Sequence, residues 1–180
     1  LERLCIRIGF FKAHEEPFKT IDKEDLIAKL KQEARDFYAL REKGFEVMHV
    51  TSVYDLVDGE LDRNEAYSRA EKEISQILEE YPSIQAVIVL HRDGVNENTH
   101  LVTEINGKPM ARFMFFNGLS RTKKNGPIDY LYNPYIEDNL AFSFQLEYQA
   151  ALYYPELYRG IYLAGLRYNL HLRPRALLLE

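Results

Sequence analysis

The chain has 180 residues, of which 28 are acidic and 23 basic, so its formal net charge is −5. A hydrophobic content of 46 % with few glycines and prolines excludes a disordered or collagen-like chain. The single cysteine, Cys5, excludes an internal disulfide framework and a metal site built from several cysteines. The acidic charge and the lack of a nucleic-acid-binding motif argue against a nucleic-acid partner.

Both ends of the chain resemble cut ends. It begins at Leu1 rather than at a methionine, and it ends at Glu180, directly after the apolar run 176–179. No apolar run reaches the roughly 18–20 residues that are needed to cross a bilayer. We therefore expect a single domain over residues 1–180 that is truncated at both ends.

Alternating apolar residues predict a first strand over residues 3–11. A helix follows, which Asp22 caps and Gly44 ends. A short strand over 45–50 precedes a second helix over 63–81, whose apolar face carries Ala66, Ala70, Ile74 and Ile77. The continuous apolar run 86–90 then predicts a strand that is buried on both faces.

The second half of the chain begins with a predicted β-hairpin, in which Asn106-Gly107 forms a type I′ turn between 101–105 and 110–116. Residues 121–133 are polar and predict a surface loop. A third helix starts at Asn133-Pro134 and ends before Pro155, with an apolar face of Ile136, Leu140, Phe144 and Ala151. Late strands are predicted at 161–163 and 176–179. This order favours an α/β fold: a three-layer sandwich with a mixed, mostly parallel sheet, helices on both faces and an added hairpin.

Ligands of an open α/β sheet bind beyond the carboxyl ends of its strands. Chemically versatile side chains follow three of the predicted strands, at His14-Glu15-Glu16, at His91-Arg92-Asp93 and at Glu180. Two histidines with carboxylates match a catalytic zinc site, which takes three protein ligands and leaves one position for water. Taken singly, the acidic groups near His14 are equally explained by a solvated turn. His91 is harder to explain away, because it directly ends the most hydrophobic strand.

Several segments together resemble the stage II sporulation protein P family. The central one runs from Tyr81-Pro82-Ser83-Ile84 through Val87-Ile88-Val89-Leu90-His91-Arg92-Asp93-Gly94. Further segments follow the family in order and spacing, at 105–108, 115–118, 159–163, 167–169 and 177–180. The resemblance covers the chain from about Gly44 to its end.

The resemblance implies a cell-wall hydrolase of spore-forming Gram-positive bacteria that acts during engulfment. The family is similar to the zinc-dependent N-acetylmuramoyl-L-alanine amidases, which cut the amide between N-acetylmuramic acid and the L-alanine of the stem peptide. Some members are described as also cutting the glycan. The resemblance further implies peptidoglycan and a stage II sporulation protein D type of lytic transglycosylase as partners. It also implies an extracytoplasmic location, with a membrane anchor in a segment that this chain lacks.

The family's site residues transfer unevenly to this sequence. His91 matches its second metal histidine, and Glu180 matches its catalytic carboxylate, the expected general base and acid. His14 corresponds to the first metal histidine, but its segment lacks the family's threonine and is one residue shorter. The resemblance thus implies a Zn²⁺ ion held by His14, Glu16 and His91, with Glu15 as the alternative to Glu16.

Three further residues are expected to support such a site, either by orienting a ligand or by binding the stem peptide: Arg92, Asp93 and Arg167. We expect the chain end at Glu180 to impair the site. The altered segment around His14 leaves a second hypothesis open, a catalytically degenerate homologue that binds peptidoglycan. A hydrolase that uses Cys5 or a serine as nucleophile has little support, because no Gly-x-Ser-x-Gly elbow is present.

Overall fold

The structure is a computed structural model that describes residues 3–8, 40, 42–58, 60–62, 65–91, 95–96 and 98–180. For 3–8 and 61 it describes the backbone alone. In chain order the described strands are β1 (Arg3–Ile8), β2 (Glu46–Val50), β3 (Leu56–Val57), β4 (Glu60–Leu61), β5 (Ile84–Leu90), β6 (Val102–Ile105), β7 (Lys108–Ala111), β8 (Phe113–Gly118), β9 (Arg121–Thr122), β10 (Gly126–Pro127), β11 (Tyr158–Ala164) and β12 (Ala176–Leu179). The described helices are α1 (Ala66–Glu80), a 3₁₀ turn (Asp129–Leu131) and α2 (Ile136–Tyr153).

Six of these strands form the main sheet, in the order β11-β8-β12-β5-β1-β2. The strands β2, β1, β5 and β12 run parallel to one another, whereas β8 is antiparallel to β12 and β11 is parallel to β8. The sheet is therefore mixed. As a consequence, the amino ends of β8 and β11 lie at the same edge of the sheet as the carboxyl ends of β5 and β12.

The core divides into clusters on the two faces of this sheet. One cluster joins α1 to β5 and β12 through Ile74, Val89 and Leu178. Another joins α2 to β12 through Ala150 and Leu177. Because neighbouring residues of a strand point to opposite faces, Leu177 and Leu178 place α1 and α2 on opposite sides of β12.

The predicted elements of the first half agree with the structure wherever it describes them. The buried face of α1 carries Ala66, Ala70, Ile74 and Leu78. The spacing predicts the first three, and in the last turn Leu78 is buried instead of the predicted Ile77. The helix predicted from Asp22 falls mostly outside the described residues, but its end at Gly44 is confirmed. There the Phe45 amide donates to the Leu40 carbonyl at 3.2 Å, and Gly44 has a φ of 87°, the geometry of a Schellman cap.

The hairpin also forms, with a shorter second strand than the pattern predicts. Asn106 and Gly107 have φ values of 50° and 75°, as a type I′ turn requires. The predicted strand 110–116 is divided in two: β7 pairs with β6 in the hairpin, and β8 enters the main sheet. Small paired strands, β9 and β10, interrupt the predicted loop 121–133.

The predicted apolar face of α2 is wrong. Phe144 is 58 % exposed, whereas Asn139 and Ser143 are buried. The reason is hydrogen bonding: the Asn139 side chain donates to the Leu170 carbonyl at 2.5 Å and accepts from the Ala176 amide at 3.0 Å. The Ser143 hydroxyl donates to Asn117 Oδ1 at 3.0 Å. These bonds hold a polar side of the helix against the sheet, which a hydrophobic pattern does not register.

The α/β class with a mixed sheet is confirmed. The finer expectation, a three-layer sandwich of the zinc amidase kind, stays a prediction.

Candidate active site

Two of the predicted site residues meet at the edge where β5 and β12 end. Leu90 pairs with Leu179, so the next residues, His91 and Glu180, lie side by side. The His91 amide donates to the Leu179 carbonyl at 2.8 Å. His91 Nδ1 lies 3.0 Å from Glu180 Oε1, and the two side chains are only 11 % and 13 % exposed. We call these two residues the His–Glu pair.

The backbone of Glu180 is fixed by β8 as well as by β12. Its amide donates to the Met114 carbonyl at 3.0 Å, and its carbonyl accepts from the Met114 amide at 2.7 Å. These two bonds extend the antiparallel pairing of β12 with β8 by one residue. The backbone of Glu180 is therefore held by the sheet rather than by a loop, so the position from which its carboxylate side chain extends is fixed.

A small group of aromatic rings begins at His91, where Tyr67 of α1 lies beside the imidazole. The Tyr67 ring lies nearly parallel to the His91 ring, at a centroid distance of 6.5 Å. Tyr168 packs edge-on against Tyr67 at 5.5 Å and against Phe116 at 4.8 Å. Burial raises the pKa of Tyr168, and the charges of Tyr162 and Glu180 raise it further. Tyr168 thus stays a neutral hydroxyl group in the electrostatic neighbourhood of Glu180.

The loop that carries Tyr168 is held in an unusual backbone conformation. Tyr168 and Asn169 have φ values of 53° and 58°, in the left-handed region that few residues other than glycine adopt. Asn169 is held there because its side chain donates to the Tyr67 carbonyl at 2.7 Å. A Cβ on Gly118 would come within 2.3 Å of the Leu166 carbonyl oxygen, so only glycine allows the loop to lie this close to β8.

Arg167, predicted to orient a ligand or bind substrate, is engaged by α1. Its guanidinium makes two hydrogen bonds to the Glu71 carboxylate, at 3.1 and 3.0 Å, and one to the Tyr132 carbonyl at 3.5 Å. His171 Nε2 lies 3.0 Å from the same Glu71 carboxylate. Burial lowers the pKa of His171, and the positive charge of Arg167 adds to this effect, while Glu71 opposes it. The contacts of Arg167 therefore anchor its loop on α1.

A cavity of about 290 Å³ opens beside the His–Glu pair. It is lined by Leu90, His91, Val95, Leu101, Ala111, Arg112, Phe113, Arg159, Leu179 and Glu180. Apart from the His–Glu pair, the charged residues that line the cavity are Arg112 and Arg159. The sequence pattern did not indicate either arginine as a site residue. The pattern pointed to carboxyl ends of strands, whereas Arg112 precedes β8 and Arg159 lies near the start of β11. The antiparallel placement of β8, which no local pattern indicates, brings these amino ends to the same edge.

The remaining predicted site residues, His14, Glu15, Glu16, Arg92 and Asp93, lie outside the described residues. The structure does place the end of β1 next to the pair, because Ile8 pairs with Leu90. His14 follows Ile8 by six residues in the sequence. Among the residues that the structure describes, no three His, Cys, Asp or Glu side chains form a group that could hold a metal ion.

The sequence profile of the family described as stage II sporulation protein P matches residues 20–180. The chain belongs to that family. Membership gives the chain a role in sporulation, in a family associated with peptidoglycan hydrolysis. His91 and Glu180 lie inside the matched region, whereas His14, Glu15 and Glu16 precede it.

No curated protein and no solved structure matches the chain significantly. Neither of its described α-helices is long and apolar enough to cross a membrane.

Proposed function

We propose that this chain is a peptidoglycan hydrolase that cleaves the amide between N-acetylmuramic acid and L-alanine during engulfment. The observation that carries the proposal is the His–Glu pair. It lies at the carboxyl ends of two adjacent strands, beside a cavity, in a chain of a family associated with peptidoglycan hydrolysis. In an α/β sheet this is the position where ligands bind.

The geometry of the pair supports a zinc site through His91. An ionised Glu180 can only accept a hydrogen bond, so Nδ1 of His91 carries the proton in a neutral ring. The other ring nitrogen, Nε2, then has the lone pair that a metal requires. Histidines that bind zinc commonly donate their other N–H to a carboxylate in this way.

The described part of the proposed site fits zinc, because an imidazole nitrogen is a usual zinc ligand. It supplies one of the three protein ligands that a catalytic zinc site needs. His91 would be one ligand, with His14 and either Glu16 or Glu15 as the others, since three protein ligands are usual. The pairing of Ile8 with Leu90 supports this assignment, because the chain leaves β1 next to His91. When bound, zinc polarises the substrate carbonyl and lowers the pKa of a bound water to about 7.

In this proposal Glu180 would act first as the general base and then as the general acid. One of its oxygens, Oε1, contacts His91, so Oε2 would accept the proton of the attacking water as a general base. Oxygen adds to the amide carbon, the C–N bond breaks, and the same carboxylate passes the proton to the leaving amine of L-alanine. Arg92 and Asp93, which follow His91, would assist by orienting a ligand or holding the stem peptide.

We further propose an extracytoplasmic site of action and a membrane anchor outside this chain, since the substrate lies in the cell wall. A lytic transglycosylase of the stage II sporulation protein D type would act beside it, because cutting the glycan and releasing its peptides complement each other.

One observation favours the degenerate, peptidoglycan-binding alternative. The family match starts at residue 20, after the predicted first histidine and its acidic neighbours. If His14 does not serve as a ligand, the chain would keep the cavity and the His–Glu pair but would bind zinc poorly. Binding without cleavage would then be its function.

Mass spectrometry of digested cell walls distinguishes the two functions. The amidase proposal predicts free stem peptides with an L-alanine amino terminus, together with glycan strands that have lost their peptides. Wall binding without any released peptide would contradict the proposal and support the alternative. Products cut only in the glycan would contradict both.

A further inference from the structure

The cavity beside the His–Glu pair has a basic wall. Its lining includes the guanidinium-bearing residues Arg112 and Arg159, while most of its other lining residues are apolar. Both arginines are partly buried. The two arginines outnumber the one carboxylate in the lining, Glu180, so the wall that they form favours an anionic group, because the low local dielectric strengthens the attraction between unlike charges.

Arg112 is fixed in place and has an unused donor. One of its terminal nitrogens donates to the Tyr158 carbonyl at 3.4 Å, which ties the side chain to the residue just before Arg159. Its Nε is buried and has no hydrogen-bond partner among the residues that the structure describes. A buried donor without an acceptor is destabilising. The guanidinium of Arg112 therefore keeps hydrogen-bond donors that the described residues do not use.

The topology brings this basic wall to the same cavity as the His–Glu pair. Arg112 directly precedes β8, and β8 pairs with the residues that end at Glu180. The His–Glu pair and the two arginines therefore line one cavity from different strands. A substrate that presents its scissile amide to the pair can place a neighbouring group against the arginines.

We propose that Arg112 and Arg159 bind a free carboxylate of the stem peptide and so select acidic stem peptides for cleavage. The inference rests on the proposed function, and it names the part of the substrate that these residues recognise. A guanidinium matches a carboxylate with two parallel N–H···O bonds, which gives direction as well as attraction. Amidation of that carboxylate removes the charge and one acceptor oxygen. Arg167 lies outside the lining of this cavity, and its guanidinium contacts Glu71.

The test compares two soluble muropeptides that differ only in amidation of the stem-peptide carboxylates. Binding is measured by calorimetry in the Glu180→Gln background, so that the ligands are not consumed. Arg112→Gln and Arg159→Gln are added singly to this background. Arg121→Gln is the matched control, because Arg121 is an exposed arginine outside the cavity lining. Thermal unfolding of each variant verifies that it folds, and Arg112→Met, which also removes the charge, replaces Arg112→Gln if the latter does not.

The expected result is a loss of about tenfold or more in affinity for the acidic muropeptide in each cavity variant, with little change for the amidated one. Arg121→Gln should leave both affinities unchanged. Equal losses for the two muropeptides, or no loss for either, would overturn the inference. If the wild type releases stem peptides but the arginines give no preference for the acidic over the amidated muropeptide, only this inference is contradicted. If the arginines give a preference for the acidic muropeptide but the wild type releases no stem peptides, only the proposed function is contradicted.

Discussion

At the scale of single residues, the central feature is the contact between His91 and Glu180. Each residue is the first one after a buried parallel strand, and the register of those strands puts them side by side. A contact between residues 89 positions apart is thus determined by the alignment of strands. The sequence could indicate both residues as strand-end polar groups, but their distance and their contact atoms depend on tertiary register.

Replacing Glu180 by glutamine should weaken zinc binding even though Glu180 is not proposed as a zinc ligand. The amide is a weaker acceptor for the Nδ1 proton of His91, and removal of such a partner typically lowers metal affinity by about 10–100-fold. Competition with a chelating dye measures the zinc affinity of the variant. Glu79→Gln is the matched control, because Glu79 is an exposed residue at the end of α1. Unchanged zinc affinity in Glu180→Gln would contradict the proposed hydrogen-bond role.

At the scale of elements, hydrophobic spacing predicted the helix α1 well and the orientation of α2 poorly. The buried side of α1 is apolar, whereas α2 is fixed through Asn139 and Ser143. Hydrogen bonds of these side chains reach β8, β12 and the loop before β12, so their partners are distant in sequence. A pattern based on apolar residues does not detect such contacts. It therefore assigned Phe144, an exposed residue, to the core.

Removal of the Ser143 hydroxyl should destabilise the fold. Ser143 is fully buried and donates to Asn117 Oδ1, so Ser143→Ala leaves a buried acceptor without this bond. We expect the free energy of unfolding to fall by about 1–3 kcal/mol, as measured by urea denaturation. Ser68→Ala, at an exposed position of α1, should change it by less than about 0.5 kcal/mol. Equal effects of the two substitutions would show that the buried hydrogen bond contributes nothing.

The arrangement of the strands explains why the basic wall was missed. The sequence predicts β5 and β12 as buried strands, and it predicts polar residues at their carboxyl ends. The antiparallel direction of β8 relative to β12 depends on the path of the chain from the hairpin into β8 and on the pairing of β8 with β12 and Glu180. Neither feature produces a local signal. Arg112 and Arg159 therefore became visible as cavity residues only in the folded chain.

At the scale of the whole molecule, acid should destabilise the fold through two partly buried histidines, His49 and His171. Burial lowers the pKa of His49 and of His171 from the ordinary value of 6.5. The unfolded chain therefore binds more protons than the folded chain as the pH falls below about 6.5. The free energy of unfolding should decrease from there until the pH passes the lower pKa values of the folded state.

Urea denaturation of wild type and His171→Gln at about pH 7.5 and about pH 5 tests this expectation. The variant lacks one of the two groups, so its stability should fall less on acidification than that of the wild type. His100→Gln, at an exposed position, should retain the full dependence on pH. An undiminished acid effect in His171→Gln would exclude His171 as one of its sources.

The central claim is that the His–Glu pair catalyses cleavage of the stem-peptide amide. The most direct measurement is the rate at which wild-type chain, His91→Ala and Glu180→Gln release stem peptides from purified peptidoglycan, with His100→Ala as the matched control. We predict release by the wild type and the control, and a loss of at least about 100-fold in both variants of the pair. Release at the wild-type rate by either variant of the pair would contradict the claim.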